Sequence, residues 1–133
     1  MHLFVLLTHV GRYDEARVLV RRHGLGRHIE RNAAMDSAML AVIDAHDNPR
    51  RATDAQAALS RAAVAVRDGE DRRAIALMYA LLRDSEGTIA ALRKCLESDT
   101  ALPLLVRSRL FEHVFDDNRY RALLLAAGDA LMT

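Results

Sequence analysis

Apolar residues recur at the spacing of an α-helix along almost the whole chain, and this period restricts the fold more than any other feature. Ala16, Leu19, Val20 and His23 fall at i, i+3, i+4 and i+7. Met35, Met39, Val42, Ile43 and His46 fall at i, i+4, i+7, i+8 and i+11. Ala52, Ala55, Leu59, Ala62, Ala63 and Val66 continue the pattern. Ala74, Leu77, Met78, Leu81 and Leu82 make a full stripe, and Ile89, Leu92 and Leu96 a narrower one. No stretch sustains two-residue alternation, so no sheet is expected. Composition agrees: Ala and Leu dominate, aromatics are 5% and Trp is absent, which favours helix over strand. At 133 residues the chain fits one domain, able to bury roughly 65–70% of its unfolded surface.

The breaks in the pattern predict the helix ends. Gly11 separates a first helix from a second, and Gly24 and Gly26 follow the second, where glycine takes the left-handed backbone that ends a helix. Asn48-Pro49 divides the central region, because proline disfavours helix in the residue before it. Asp68-Gly69 is expected to end the fourth helix, and Asp84–Gly87 and Asp99–Pro103 to form turns. Asp116-Asp117-Asn118 supplies an N-cap for a last helix from about Arg119. Short connections make successive helices antiparallel neighbours.

Charge excludes little but points away from nucleic acid. The formal net charge is +1, and neither half makes a strong field. Lys94 is the only lysine. Arg17, Arg21, Arg22, Arg27 and Arg31 form the one local basic cluster, without interleaved aromatics for base stacking. It is read as a solvated helix face balanced by Asp14 and Glu15. No apolar run approaches the ~18 residues of a membrane span, so no membrane partner is expected. Met1–Val10 lacks a basic leader and a small-residue cleavage site and reads as a core helix. Cys95 is the only cysteine, so no internal disulfide forms and a reducing cytoplasm is the expected location.

No constellation for catalysis or metal binding stands out. His23 and His28 straddle a glycine turn, and the "HGLGRH" segment follows a helix rather than a strand, which makes it a C-cap rather than a phosphate loop. Asp44, His46 and Asp47 are near neighbours, but at 100° per residue they point in different directions. Ser37, Ser60, Ser85, Ser98 and Ser108 lack a nucleophile elbow. Cys95 is expected to behave as a small buried hydrophobe. The chain is therefore expected to be no enzyme, with no cofactor and no metal.

Three registers of helix pairs share a common pattern. The first sets Leu3, Phe4 and Leu7 on one helix, then Gly11, Tyr13, Ala16 and Val20 through "GRYDEA". The second sets Met39, Val42, Ile43 and His46, then Ala55, Leu59 and Ala62. The third sets Ile75, Met78, Tyr79 and Leu82, then Ala91, Cys95 and Pro103. Ala16, Ala55 and Ala91 stand at equivalent helix crossings, 39 and 36 residues apart. With "EGTIAALRKCLES", "ALPLL" and "VFDDNRYRALLLAAG" following in order, the chain resembles the tetratricopeptide-repeat proteins, whose period is about 34 residues. The consensus Trp and the small residue of the first helix are missing.

The resemblance implies an all-α domain over 1–133. Antiparallel hairpins at about 1–24, 28–67 and 70–98 would stack as a short right-handed solenoid, closed by a C-terminal segment at 100–133. It implies a scaffold or regulatory role, with a partner polypeptide held in a concave groove lined by outward positions of the first helices. These are Thr8, Ser37, Leu40, Asp44, Asp47, Arg73, Ala76, Ala80 and Arg83. An acidic patch would come from the second repeat and a basic one from the third, and Ser37, Leu40, Asp44, Asp47, Arg73 and Arg83 are the candidate partner-binding residues. The Lys and Asn pattern that clamps a peptide carboxylate in some family members is absent. In that family such a closing segment often ends multi-domain bacterial regulators and cyclases. The first helix starts without a cap, which suggests the C-terminal piece of a longer protein and an apolar face for a preceding domain or a second copy. Two other readings stay open: a helical bundle that binds a small ligand or metal, and an Arg-mediated nucleic-acid accessory domain.

Overall fold

Side-chain caps and left-handed residues place the helix ends. In the computed structural model, which describes residues 3–23 and 33–132, the chain forms α1 (Leu3–His9), α2 (Tyr13–His23), α3 (Ala33–Asp47), α4 (Ala52–Val64), α5 (Gly69–Leu81), α6 (Ser85–Glu97) and α7 (Asn118–Met132). Short 3₁₀ helices lie at Pro49–Arg51, Leu104–Arg107 and Arg109–Val114. Among the described residues there is no strand. Gly24, Gly26, Arg27, His28 and Arg31, and with them the "HGLGRH" C-cap, fall outside the described residues.

Contacts divide the chain into two compact units, Met1–Val66 and Arg67–Thr133. In the first, α1 pairs with α2, α2 also with α3, and α3 with α4. Asn48 caps the 3₁₀ turn through Arg50 N–H at 3.2 Å, so the break expected at Asn48-Pro49 is present. The core gathers Phe4, Val5, Ala16, Val20, Met35, Met39, Val42, Ile43, Ala55, Leu59 and Ala62. Leu3, placed inward by the repeat register, is instead exposed.

In the second unit α5 pairs with α6, and the 3₁₀ helix Arg109–Val114 packs on both. Asp68 does not end the fourth helix, which stops at Val64. It caps α5 instead, accepting from the Asp71 N–H at 3.0 Å, while Asp71 accepts from the Arg67 N–H at 2.9 Å. Likewise Asp84 is the N-cap of α6 rather than the middle of a turn, accepting from the Gly87 N–H at 3.0 Å. Asp117 caps the start of α7 through the Arg119 N–H at 2.8 Å.

Three helices end in one motif. The N–H of Arg12 reaches Leu7 O and that of Gly11 reaches Thr8 O; Asp84 reaches Tyr79 O and Arg83 reaches Ala80 O; Thr100 reaches Cys95 O and Asp99 reaches Leu96 O. Each is a paired Schellman closure whose hinge residue has positive φ. Gly11 (+87°), expected as the separator of the first two helices, has no side chain there, whereas Arg83 and Asp99 (both +54°) do.

Tyr120 ties α7 to the 3₁₀ helix Leu104–Arg107. Its ring is buried, and its hydroxyl donates to Val106 O at 2.5 Å. Arg119 grips Glu86 of α6 with both Nη atoms, at 2.9 and 2.8 Å, and Asp117 at 2.8 Å. That guanidinium pulls the Asp117 carboxyl down to about 2.

Candidate functional site

Within the first unit, Ser37, Leu40, Asp44 and Asp47 are spaced i, i+3, i+7 and i+10 and so share one face of α3. Ser37 and Asp47 are exposed, and Leu40 and Asp44 half-buried. The neighbouring helix α2 sends Arg17 onto the carboxylates. Its Nε and Nη2 lie 2.9 Å from Asp44 Oδ1, its Nη2 3.1 Å from Asp47 Oδ2, and its Nη1 3.0 Å from Asp14 Oδ1. The bonds to Asp47, Asp44 and Asp14 raise the guanidinium's pKa further, against the opposing effect of its burial.

Arg17 was expected on a solvated face. It is only 19% accessible because it ties α2 to α3 across 27 and 30 positions of sequence. Glu15, its expected balance, pairs with Arg12 instead. Next to this cluster the Tyr13 hydroxyl lies 2.8 Å from His46 Nδ1, with the rings tilted at 5.6 Å. His46, expected to pack in the core, is therefore half-buried and hydrogen-bonded.

One guanidinium among three carboxylates leaves the α3 face acidic. Asp44 Oδ2 and Asp47 Oδ1 make no hydrogen bond or ion pair among the described residues, and the two side chains are 40% and 48% accessible. Charge-assisted bonds to such oxygens are about twice as strong as neutral ones, so the face is suited to an incoming ammonium or guanidinium beside the apolar Leu40.

The other expected groove positions do not form an outward surface. Thr8, Ala76 and Ala80 are buried, Thr8 with its hydroxyl donating to Phe4 O at 2.6 Å. The cause for the alanines is that α5 is buried on most of its circumference, with Ala74, Ile75, Ala76, Leu77, Met78, Ala80 and Leu81 all inside. Arg73 is half-buried toward the start of α5. Arg83 lies beyond its C-cap, Leu82, and pairs with Glu112 at 2.9 Å. Ten positions separate the two arginines, about 15 Å along a helix, so they do not converge as one basic clamp.

His113 was singled out by no motif. Its Nε2 lies 3.1 Å from the buried Thr88 Oγ1, and its Nδ1 is buried without a hydrogen-bond partner. Burial, reinforced by Arg83 and opposed by Asp84, Glu112 and the Leu110 backbone, lowers the pKa from the ordinary 6.5. Because the folded value lies below the unfolded one, the stability from neutral His113 is full above 6.5 and is lost as pH falls through the folded value. In urea titrations from about pH 7.5 to 5, His113→Gln is expected to lose less stability than the parent chain. Parallel pH profiles would contradict this.

Cys95 is buried, as expected of a small hydrophobe, and burial raises its thiol pKa. Among the described residues, no group of three or more His, Cys, Asp or Glu is placed to hold a metal ion, and no helix is long and apolar enough to cross a membrane. No protein-family model, curated protein or solved structure matches the chain.

Proposed function

We propose that this chain is a non-catalytic binding module of tetratricopeptide-like hairpins, and that the acidic face of α3 holds a basic segment of a partner polypeptide. The observation that carries the reading is the cluster of Asp44 and Asp47 around Arg17, which keeps carboxylate oxygens accessible beside Leu40 and Ser37. A partner Lys or Arg would take the open oxygens, and its aliphatic neighbours would pack on Leu40. The hairpin reading draws support from Ala16, Ala55 and Ala91. Each is buried on the second helix of a consecutive pair, where nested helices need a small side chain. The scaffold or regulatory role follows from this binding.

Selection of random peptides on the full chain tests it. The enriched peptides are expected to carry Lys or Arg next to aliphatic residues and to bind more weakly as salt rises. By fluorescence anisotropy, the double change Asp44→Asn and Asp47→Asn is expected to weaken them about tenfold, or ~1.4 kcal/mol. Arg17→Ala, which removes the competing cation, is expected to tighten them. Enrichment of acidic or uncharged peptides, or binding indifferent to the asparagine pair, overturns the proposal.

A further inference from the structure

Among the described residues, four of the six large apolar side chains left in solvent lie on the first two helices and the turn between them, while Val64 and Leu125 are exposed elsewhere. Leu3 and Leu6 stand on α1, Val10 in the turn after it, and Val18 on α2, with 36–67% of each accessible. An open groove runs beside them, lined by Leu7, Asp14, Glu15, Val18, Leu19 and Arg22. Arg17 touches the edge of this surface through Asp14 at 3.0 Å, while its remaining bonds run to Asp44 and Asp47 of α3.

The order of residues along the groove identifies its occupant. Glu15, Val18, Leu19 and Arg22 sit at i, i+3, i+4 and i+7, a stripe with an acid at one end, a base at the other and aliphatic residues between. The stripe is palindromic in shape and opposite in charge about the midpoint between Val18 and Leu19, with each charge about 5 Å along the axis from that point. Turned through a two-fold axis there, a second α2 puts its Arg22 opposite Glu15 and its Glu15 opposite Arg22. A parallel alignment would set Glu15 on Glu15 and Arg22 on Arg22. Arg22 makes no hydrogen bond or ion pair among the described residues. Among the described residues Glu15 is held only by Arg12, which engages both of its oxygens in a pair more than half exposed on both sides.

We infer that the α1–α2 face joins two copies of this chain, α2 against α2 in antiparallel register, with Val18 and Leu19 at the two-fold and Glu15–Arg22 contacts on either side. Such an interface is isologous: one patch supplies both halves. It stands independently of the α3 binding face, and the two are tested by different substitutions.

Sedimentation velocity of the full chain at about 100 µM, where a micromolar dimer is nearly complete, is expected to give a dimer. Val18→Asp is expected to give a monomer with the parent circular dichroism, because the position is exposed and the fold does not depend on it. Glu15→Arg and Arg22→Glu are each expected to weaken the dimer tenfold or more. The double variant E15R/R22E is expected to restore it, since both new contacts are again of opposite charge. A monomeric parent chain overturns the inference. So does a dimer indifferent to V18D, or a double variant no better than the singles.

Discussion

Phe111→Ala is expected to destabilise the chain by about 3–5 kcal/mol, the usual cost of truncating a buried phenylalanine. Phe111 is fully buried in the 3₁₀ helix Arg109–Val114. A 3₁₀ helix has poorer hydrogen-bond geometry than an α-helix and seldom runs beyond one turn on its own. This one therefore keeps its place on α5 and α6 through Leu110, Phe111 and Val114. Losing the ring leaves a void and loosens the element that carries Glu112 to Arg83 and His113 to Thr88. The midpoint of urea unfolding followed by circular dichroism checks this. Residual hydrogen-exchange protection in α5 and α6, with loss of it from 109–114, would show that the segment detaches before the hairpin opens. A cost under about 1 kcal/mol would mean that the ring is not enclosed.

Gly87→Ala is expected to destabilise by about 1–3 kcal/mol, the range for overpacking a filled site. The opposite sign would follow from helix propensity, which favours Ala over Gly by up to about 1 kcal/mol. Geometry decides between them. A Cβ at Gly87 would fall 2.3 Å from Tyr79 Cδ1, 2.6 Å from Cε1 and 2.9 Å from Cγ. The ring meets it close to its own backbone attachment, so no flexible tip can swing away; α6 must move from α5, or Tyr79 must leave its rotamer. A fall in melting temperature of roughly 5–10 °C is the expected reading. In a Tyr79→Ala background the same glycine substitution is expected to be neutral or stabilising, because only the propensity gain remains. Stabilisation in the parent background would show that the close approach of α5 and α6 at this point is absent.

Gly87 illustrates how a sequence signal can be real yet misassigned. Its neighbours Asp84 to Gly87 read as a turn, and the chain does turn there. The reversal itself, though, is made by Leu82, Arg83 and Asp84, with Arg83 in the left-handed region. The glycine is kept free of a side chain by an aromatic ring on the preceding helix. Asp68 is a parallel case, since an Asp-Gly pair marks a boundary without saying which helix it serves. Only the direction of the bond from the Asp71 N–H assigns it to α5.

The face proposed for partner binding was legible in part. The stripe Ser37, Leu40, Asp44, Asp47 follows from helical spacing, and all four residues lie on α3. Arg17 does not follow from it, because its carboxylates are 27 and 30 residues away and no local pattern reports such a distance. Read in sequence beside Arg21 and Arg22, it looks like one member of a basic cluster. Placed in the fold, it neutralises part of the acidic face. Thr8, Ala76 and Ala80 failed as outward positions for a related reason. Periodicity tells which residues share a side of a helix, but not how many sides of that helix are covered.

By itself, then, the sequence determined that this chain is helical, roughly where its helices stop, and which residues share a side of each helix. Those properties depend on propensity, period and caps, all of which act within about one or two turns of chain. The tertiary structure decided which charges meet, which small residues are spacers for an aromatic ring, and which histidine has its pKa lowered by burial. Each of these depends on two helices approaching within a few ångströms, and no local run of residues records that distance.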